Sequence, residues 1–561
     1  MIPIQTQSQA NDWWRSAAIY QVYPRSFFDS NGDGIGDLPG IIQKLDYIAS
    51  LNVDAVWISP FFQSPMKDFG YDISDYRAIE PMFGTMDDFK TLLAAAHDRH
   101  LKILIDQVWN HTSEEHEWFI ASRSSKDNPK ADWYVWEDAK PDGSPPNNWR
   151  ATFCGSAWEW DETRSQYYLH SFLTSQPDLN WYNPEVQAAI LDTAKFWLDM
   201  GVDGFRLDVV NFFLHDRSLK DNPVRPPEMP RPVGAGKNDP FFDLHNIHNF
   251  NQPEIIKLLE PIRKLMSEYP GTATLAEISS AEDAMLTSSE YVRGEERLHM
   301  AYNSELMEDA PFSYTRLRSM IQKTEAYFKD GVICWTAGTH DFPRLKTRWQ
   351  KYQTGDRFTQ EAFEHLLAAL ILALKGSCCI YQGDELGLTE ANIPYEQMQD
   401  PFGLAGYPSI LGRDGCRTPM PWQKEAHQAG FTTAKESWLP IPEEHFAFAV
   451  DLQEQRSMSL LNKYRRLLRW RKQQPALLQG DLTLLNTPEP LLGFSRKCDE
   501  QHLICLFNLS PEPIHHDLSD YPECVEANES DFTNRRYDNT VEIPAYGVFF
   551  GKNKQNKIKR R

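Results

Sequence analysis

The chain has 561 residues, 41% of them hydrophobic and 24% charged, with a formal net charge of −22. That length admits several domains or one large barrel with additions, and the balance is that of a folded protein with ample core. The negative charge argues against nucleic acid or an anionic membrane as partner and leaves a neutral or small substrate, recognised by local charges.

The first residues, MIPIQTQSQANDWW, lack the basic start and apolar run of a secretory signal. The best apolar run, residues 366–374, falls far short of the ~20 residues of a membrane span. Eight scattered cysteines without a CxxC pair predict reduced thiols and a cytoplasmic protein. Cys378 and Cys379 are adjacent in a strand-like run, where they must point to opposite faces.

The strand-like run AIYQVYPRSFF leads into FDSNGDGIGDLPG, residues 28–40. Asp29, Asn31 and Asp33 alternate, Gly34 follows, and Asp37 comes next, which is how an EF-hand calcium loop opens. The twelfth position should be a bidentate Glu and is Gly40, and the loop follows a strand. A cation site is expected here and a calcium sensor is not. LPGIIQKLDYIASL is then helical, VDAVWISP a strand, TMDDFKTLLAAAHDRH a helix and LKILIDQVW a strand. Residues 111–174, rich in Trp, Pro, Asn and Asp, overrun a plain βα unit of about 30 residues and read as a small inserted domain. NPEVQAAILDTAKFWLDMG is a helix closed by Gly201. The strand GFRLDVV precedes a Pro-dense loop, DNPVRPPEMPRPVGAGKNDP, of a length that is functional or disordered. ATLAEIS, MAYNSEL, VICWTAGTHD and CCIYQGDELG complete eight strands alternating with helices.

This pattern predicts an α/β fold, a (β/α)₈ TIM barrel built from residues 1–110 and 175–480 around the insertion. A doubly wound sheet is the rival, but no GxGxxG follows the first strand. Residues 481–561 hold short alternating strands without a long helix and predict a C-terminal β-sandwich. The basic end, KNKQNKIKRR, reads as a frayed tail.

Four acids, Asp106, Asp208, Glu277 and Asp341, stand at strand ends, which in such a barrel converge on one mouth. In GFRLDVV, alternation turns Phe205, Leu207 and Val209 to the helices and Arg206 and Asp208 to the mouth. Arg206 would hold Asp208 ionised. Glu277, with no cation beside it in sequence, would stay protonated. An ionised and a protonated carboxyl facing each other suit glycoside hydrolysis; buried ion pairs closing the barrel are the structural alternative. His111 and His340, beside Asn110 and Asp341, suit hydrogen bonding to sugar hydroxyls.

The segments DQVWNH, GFRLD, AEIS and HD, in that order, resemble the signature regions of glycoside hydrolase family 13, the α-amylase clan. QPDLN, SPMKDFGYDISDY and CRTPMPW are similar to its oligo-1,6-glucosidase and α-glucosidase subgroup. Thr339 departs from the usual Asn before the His-Asp pair. The resemblance implies Asp208 as nucleophile, Glu277 as general acid/base and Asp341 as stabiliser of the distorted sugar. It implies support from Arg206, His111, Gln176 and His340, stacking by Tyr71, and a clasp of Asp72 and Arg417 that closes the pocket and makes the enzyme exo-acting. It implies a structural cation, calcium with magnesium as the alternative, on Asp29, Asn31, Asp33, the Ile35 carbonyl and Asp37. No organic cofactor is implied, the partner is a small oligosaccharide, and the assembly is a monomer or homodimer.

In similar enzymes Val at position 209 accompanies α-1,6 bonds, because a stiff side chain there crowds a directly attached second ring. The alternative is that Val209 only packs on a neighbouring element. On the same fold, transglucosylases, sucrose isomerases and trehalose-type hydrolases are the rival activities. Transporter heavy chains of the clan, which are not enzymes, carry a membrane span and tend to lose the acids that this chain keeps.

Overall fold

The computed structural model describes residues 11–236, 238–353, 357–521, 524–527, 530–532 and 534–553. The start of the chain and the basic tail from residue 554 onward lie outside them. Eight parallel strands close a barrel: β1 (Ala18–Val22), β2 (Ala55–Ile58), β3 (Lys102–Gln107), β4 (Gly204–Leu207), β5 (Ala273–Ile278), β6 (Met300–Asn303), β7 (Val332–Thr336) and β8 (Ser377–Tyr381). Each pairs with its sequence neighbour and β8 returns to β1. All eight fall in the runs expected from the sequence. Among the described residues, no helix is long and apolar enough to cross a membrane.

Strand periodicity sorts the side chains into two cores. Phe205, Leu207, Val56, Ile58, Ile103 and Ile105 face outward against the helices. Ile19, Ala55, Trp57, Leu104, Leu275, Met300, Tyr302 and Cys334 fill the barrel, with Trp14 and Ala17 joining them from the chain before β1. Cys378 belongs to the outer core and Cys379 to the inner, as adjacent strand residues must. All eight cysteines are free thiols.

The expected helix over residues 38–51 is two short ones, Leu38–Gln43 and Leu45–Ser50, interrupted at Lys44. Asp37, one of the expected cation ligands, caps the first by accepting from the Gly40 amide. Helix Met86–Asp98 starts with a capping box between Thr85 and Asp88. Helix Pro184–Met200 is capped by Asn183 and closed by left-handed Gly201.

Between β3 and β4, the strands Trp136–Glu137, Gln166–Leu169 and Trp158–Asp161 form a small antiparallel sheet. The Pro-dense loop after β4 is docked on this insertion: Asn148 donates to the Asn222 carbonyl and Trp149 to that of Lys220, both at 2.8 Å. At the C-terminal end, a five-stranded and a three-stranded antiparallel sheet share a core of Leu491, Ile504, Leu506, Leu518, Val541, Ile543 and Phe549.

Gly204 begins the strand that carries Arg206 and Asp208. It sits at φ +151°, and a Cβ there would lie 1.9 Å from the Ala273 carbonyl oxygen of β5. Backbone cannot yield that far without parting the two strands. Gly204→Ala should therefore cost on the order of 4–5 kcal/mol or more and give an insoluble or early-melting protein. At Gly143 nothing lies within 4 Å of the added carbon, so Gly143→Ala should cost only about 1 kcal/mol, from backbone strain. Thermal melts of the two variants check the contrast.

Candidate active site

Arg206 is completely buried, and its fork spans the barrel mouth. Register places it opposite Asp106 on β3. Its Nη1 donates to Asp106 at 2.8 Å and to Asp208 at 2.7 Å, while Nη2 donates to Glu277 and, at 2.8 Å, to the Tyr302 hydroxyl. Burial alone would lower the guanidinium pKa; Asp106 and Glu277 outweigh it and raise it well above the ordinary value. One cation thus serves acids from three strands. This corrects the expectation that Glu277 lacks a cation. Burial pushes the Asp208 carboxyl well above its usual range and raises Glu277 too, with Arg206 opposing both shifts. Electrostatics therefore do not set Asp208 and Glu277 apart, although Arg206 was expected to hold Asp208 ionised beside a protonated Glu277.

Asp106 lies beneath them, fully buried, and accepts from Trp57 Nε1 and the Tyr71 hydroxyl, each at 3.0 Å. The Tyr71 ring stacks on His340 at 5.3 Å and 8°, and Tyr23 covers the other face of that imidazole at 5.4 Å. Gln21 fixes His340 Nδ1 at 2.8 Å. His111 lies 3.1 Å from the Tyr71 carbonyl and 3.2 Å from the Gln176 amide. Burial lowers its pKa to about 3, and that of His340 falls well below the usual value, so both rings are neutral near pH 7.

Asp341 stands at the rim with its side chain a quarter exposed. Burial would raise its pKa, but the permanent cations Arg413 and Arg417, both paired with it, oppose that and hold it ionised, below the usual carboxylate range. Arg417 donates to it at 3.0 Å and to the His340 carbonyl at 2.7 Å.

Asp72, expected with Arg417 at the outer hydroxyls of the terminal glucose, is bonded within its own turn. The Asp72 oxygens are taken by the Ser64 hydroxyl at 2.9 Å and the amides of Lys67 and Asp68 at 2.8 and 3.1 Å. Asp72 ties up the turn that presents Asp68 and Tyr71, and burial lifts its pKa to about 6. The pair that bridges the pocket is Asp68 with Arg413, at 2.8 Å. Arg413 also binds Asp400 at 2.6 Å and Asp341 at 3.3 Å, and Gln176 donates to Asp68 at 3.0 Å. Asp68, Arg413, Asp400 and Tyr302 were not anticipated. Asp68 and Arg413 lie four residues before Asp72 and Arg417 in the same segments, and spacing does not choose between such neighbours.

Val209 lies two residues past the end of β4. Its backbone is left-handed, at φ 34° and ψ 49°, so strand alternation stops at Asp208. Its side chain packs among Phe212, Phe241, Phe242 and Phe250.

In the loop after β1, Asp29 accepts from the amides of Asn31, Gly32 and Gly34 and from the Thr432 hydroxyl. Asn31 and Asp33 each accept from the amide two residues on, and Asp37 binds Ser30 and Gly40. Asp29 and Asp37 are both buried, neither is in an ion pair, and the charge of Asp29 adds to burial in raising the Asp37 pKa. Buried carboxylates that, among the described residues, have hydrogen-bond donors but no cationic partner, beside amide and carbonyl oxygens, fit a hard cation. Among the described residues, no three acidic, His or Cys side chains gather into a metal cluster, so an ion here would need the Asn31 and Ile35 oxygens.

A closed parallel barrel with convergent acids at its mouth defines a catalytic (β/α)₈ protein. The catalytic-domain profile of α-amylase matches residues 21–480, and the chain belongs to that family of glycoside hydrolases, family 13. It is 46% identical to a probable α-glucosidase of Rhizobium meliloti, over 96% of this chain and 97% of that one. It is 37% identical to an oligo-1,6-glucosidase of Heyndrickxia coagulans, covering 91% and 94%. The crystal structure of an α-glucosyl transfer enzyme, XgtA, superposes with a TM-score of 0.92 at 47% identity, covering 98% and 100%.

Removing the shared cation gives a test of the electrostatics. In Arg206→Gln, Asp106, Asp208 and Glu277 would face one another without compensation, at a cost of roughly 3–5 kcal/mol near neutral pH. Their folded pKa values would rise further above the unfolded ones. The penalty should be absent below the unfolded carboxyl pKa and grow as pH rises through the folded values. Denaturant unfolding at several pH values should show the variant's deficit shrinking toward acid pH; a constant deficit would contradict the shared-cation reading.

Proposed function

We propose that the protein is an exo-acting, retaining α-glucosidase that releases glucose from the non-reducing end of short α-glucosides. The observation that carries this is the single Arg206 fork. It holds Asp208 on one terminal nitrogen and Glu277 on the other, which suits the close carboxyl spacing of about 5–5.5 Å used for double displacement rather than the wider spacing of inversion. Charge balance gives the proton its place. Asp106, Asp208, Glu277, Asp341, Asp68 and Asp400 share only Arg206, Arg413 and Arg417. Asp341 is held ionised, so the excess negative charge favours one proton kept within the raised, interacting Asp208–Glu277 pair. With substrate bound, Glu277 protonates the departing oxygen while Asp208 attacks the anomeric carbon. Water, deprotonated by Glu277, then cleaves the glucosyl–Asp208 ester with a second inversion.

Tyr71 and His340 form the stacked floor for the terminal glucose, and Asp341, His111 and the arginines bind its hydroxyls. Asp68 with Arg413 closes the far end, so polymers enter only by a non-reducing end. Of the two linkages, α-1,6 is favoured. Val209, with the phenylalanine cluster it packs in, would border the plus side and leave less room for a ring joined directly, while the extra rotatable bond of an α-1,6 link lets that ring swing aside; such a contact is worth about 1–3 kcal/mol. A second reading is transfer of the glucosyl unit to another sugar or alcohol, favoured by the 47% identity to an α-glucosyl transfer enzyme.

Isomaltose, maltose, sucrose, trehalose and starch, assayed with product analysis, test this. Isomaltose should be cleaved fastest and starch slowly, α-glucose should be the first product by proton NMR, and Asp208→Asn should abolish turnover with its melting temperature preserved. β-Glucose as first product would overturn the nucleophile assignment, and glucosylated acceptors dominating at low substrate would favour transfer.

A cation, calcium by preference, is proposed on Asp29, Asn31, Asp33, the Ile35 carbonyl and Asp37. It would neutralise two buried carboxylates of a loop that makes no contact with the acids, so its role is stability. Binding only to the folded form stabilises by about 2.7 kcal/mol at a hundredfold excess over Kd. Chelation should lower the melting temperature while leaving activity well below melting nearly unaltered; activity lost at full stability would move the ion into catalysis.

A further inference from the structure

The turn after Asp208 is strained, buried and tied to the strand that carries Glu277. A β-branched residue at positive φ is a rare conformation, and Val209 holds it directly after Asp208. At this turn the Val209 amide donates to Glu277 at 3.3 Å. Two features hold the turn. The phenylalanine cage surrounds the Val209 side chain, with Phe212 and Phe250 stacked in parallel at 4.4 Å. Asn211, wholly buried, bridges to the end of β5. Its Nδ2 donates to the Ser279 carbonyl at 2.7 Å, and its Oδ1 accepts from the Ser279 amide at 3.3 Å. Nδ2 also donates to the Asn251 side chain at 2.8 Å, and the Asn251 amide donates back to the Asn211 carbonyl at 2.8 Å.

Ser279 is two residues past Glu277. Bonding both its amide and its carbonyl to one side chain fixes the height of the Glu277 strand end against the turn that follows Asp208. We propose that Asn211 is a positioning residue: with the left-handed Val209 it forms a brace that fixes the Glu277 carboxyl relative to Asp208, at the distance the proton transfer needs. Asn211 touches neither substrate nor the reacting atoms by this account. The inference rests on Glu277 being the acid/base.

The test uses leaving-group chemistry. A disaccharide needs its departing oxygen protonated; 4-nitrophenyl α-glucoside leaves as a stabilised phenolate and needs little acid. Asn211→Ala should therefore lower kcat on isomaltose by about 10–100-fold and on the nitrophenyl glucoside by only a few-fold, with KM changed little. The basic limb of the disaccharide pH profile should move upward, because Glu277 loses the Val209 amide while still facing Asp208 and Arg206 from β4, Asp106 from β3, Tyr302 from β6 and Asp341 beyond β7. Equal losses on both substrates, or an unmoved basic limb, would overturn the brace.

A second pair keeps the proposal testable if Asn211→Ala folds poorly. Val209→Gly accepts the left-handed backbone freely and keeps its amide on Glu277, whereas Val209→Ala loses the cage yet keeps the strain. Gly should retain more disaccharide activity than Ala, the reverse of what packing alone would give; the opposite order would overturn the brace. Glu277→Gln distinguishes the two levels. If it lacks the leaving-group dependence, the acid/base reading itself fails; if it has the dependence and the Asn211 and Val209 variants do not, only the brace fails.

Discussion

The buried guanidinium of Arg206 is the interaction on which the site depends. Desolvating it and three carboxylates is expensive, and in general a buried ion pair is a poor source of stability. What this arrangement supplies is fixed relative position. A planar fork with all its nitrogens committed allows each acid little freedom. Asp106 is held by Trp57 and Tyr71 as well, and the Tyr302 hydroxyl lies on the remaining side of the fork. The carboxylates are pre-organised before a sugar arrives, which is where electrostatic catalysis draws most of its advantage.

The barrel makes this feasible because its lower layers are dry. Ala55, Leu104, Leu275 and Met300 fill the interior below the acids, so the charges near the C-terminal strand ends rest on an apolar floor. That floor raises the effective strength of each pair and also the cost of leaving one unmade. The aromatic layer of Tyr23, His340 and Tyr71 continues the same principle at the mouth: two phenol rings stack on one neutral imidazole without adding charge.

Much of this was legible in the sequence. Eight apolar runs of strand length, separated by helical periodicity, gave the barrel, and the acids at their ends gave the mouth. Arg206 and Asp208 share a face because the strand period is two, and the structure keeps them 2.7 Å apart. What was not legible depends on distances across the barrel. Glu277 has no cation near it in sequence, but β4 and β5 are neighbours, so Arg206 reaches it. Asp68 and Asp72 stand on either side of Tyr71 in the chain, and only the fold reveals that the turn's own amides and the Ser64 hydroxyl bind Asp72. Alternation carried one residue too far at Val209, where a left-handed backbone ends the strand, and a rare φ leaves no mark in composition or period.

The loop after β1 shows how an element remote from the acids still bears on them. It is bonded to the segment that follows Arg417 in the chain: the Asp29 amide donates to the Phe431 carbonyl at 3.1 Å, and the Trp438 amide to that of Gly34 at 3.0 Å. Ser26, fully buried just before the loop, donates to the Arg417 carbonyl and accepts from the Trp438 indole at 3.0 Å. Arg417 in turn holds Asp341. The loop and the arginine-bearing segment therefore pack as one unit, so the loop contributes to the stability of the backbone from which Arg417 reaches.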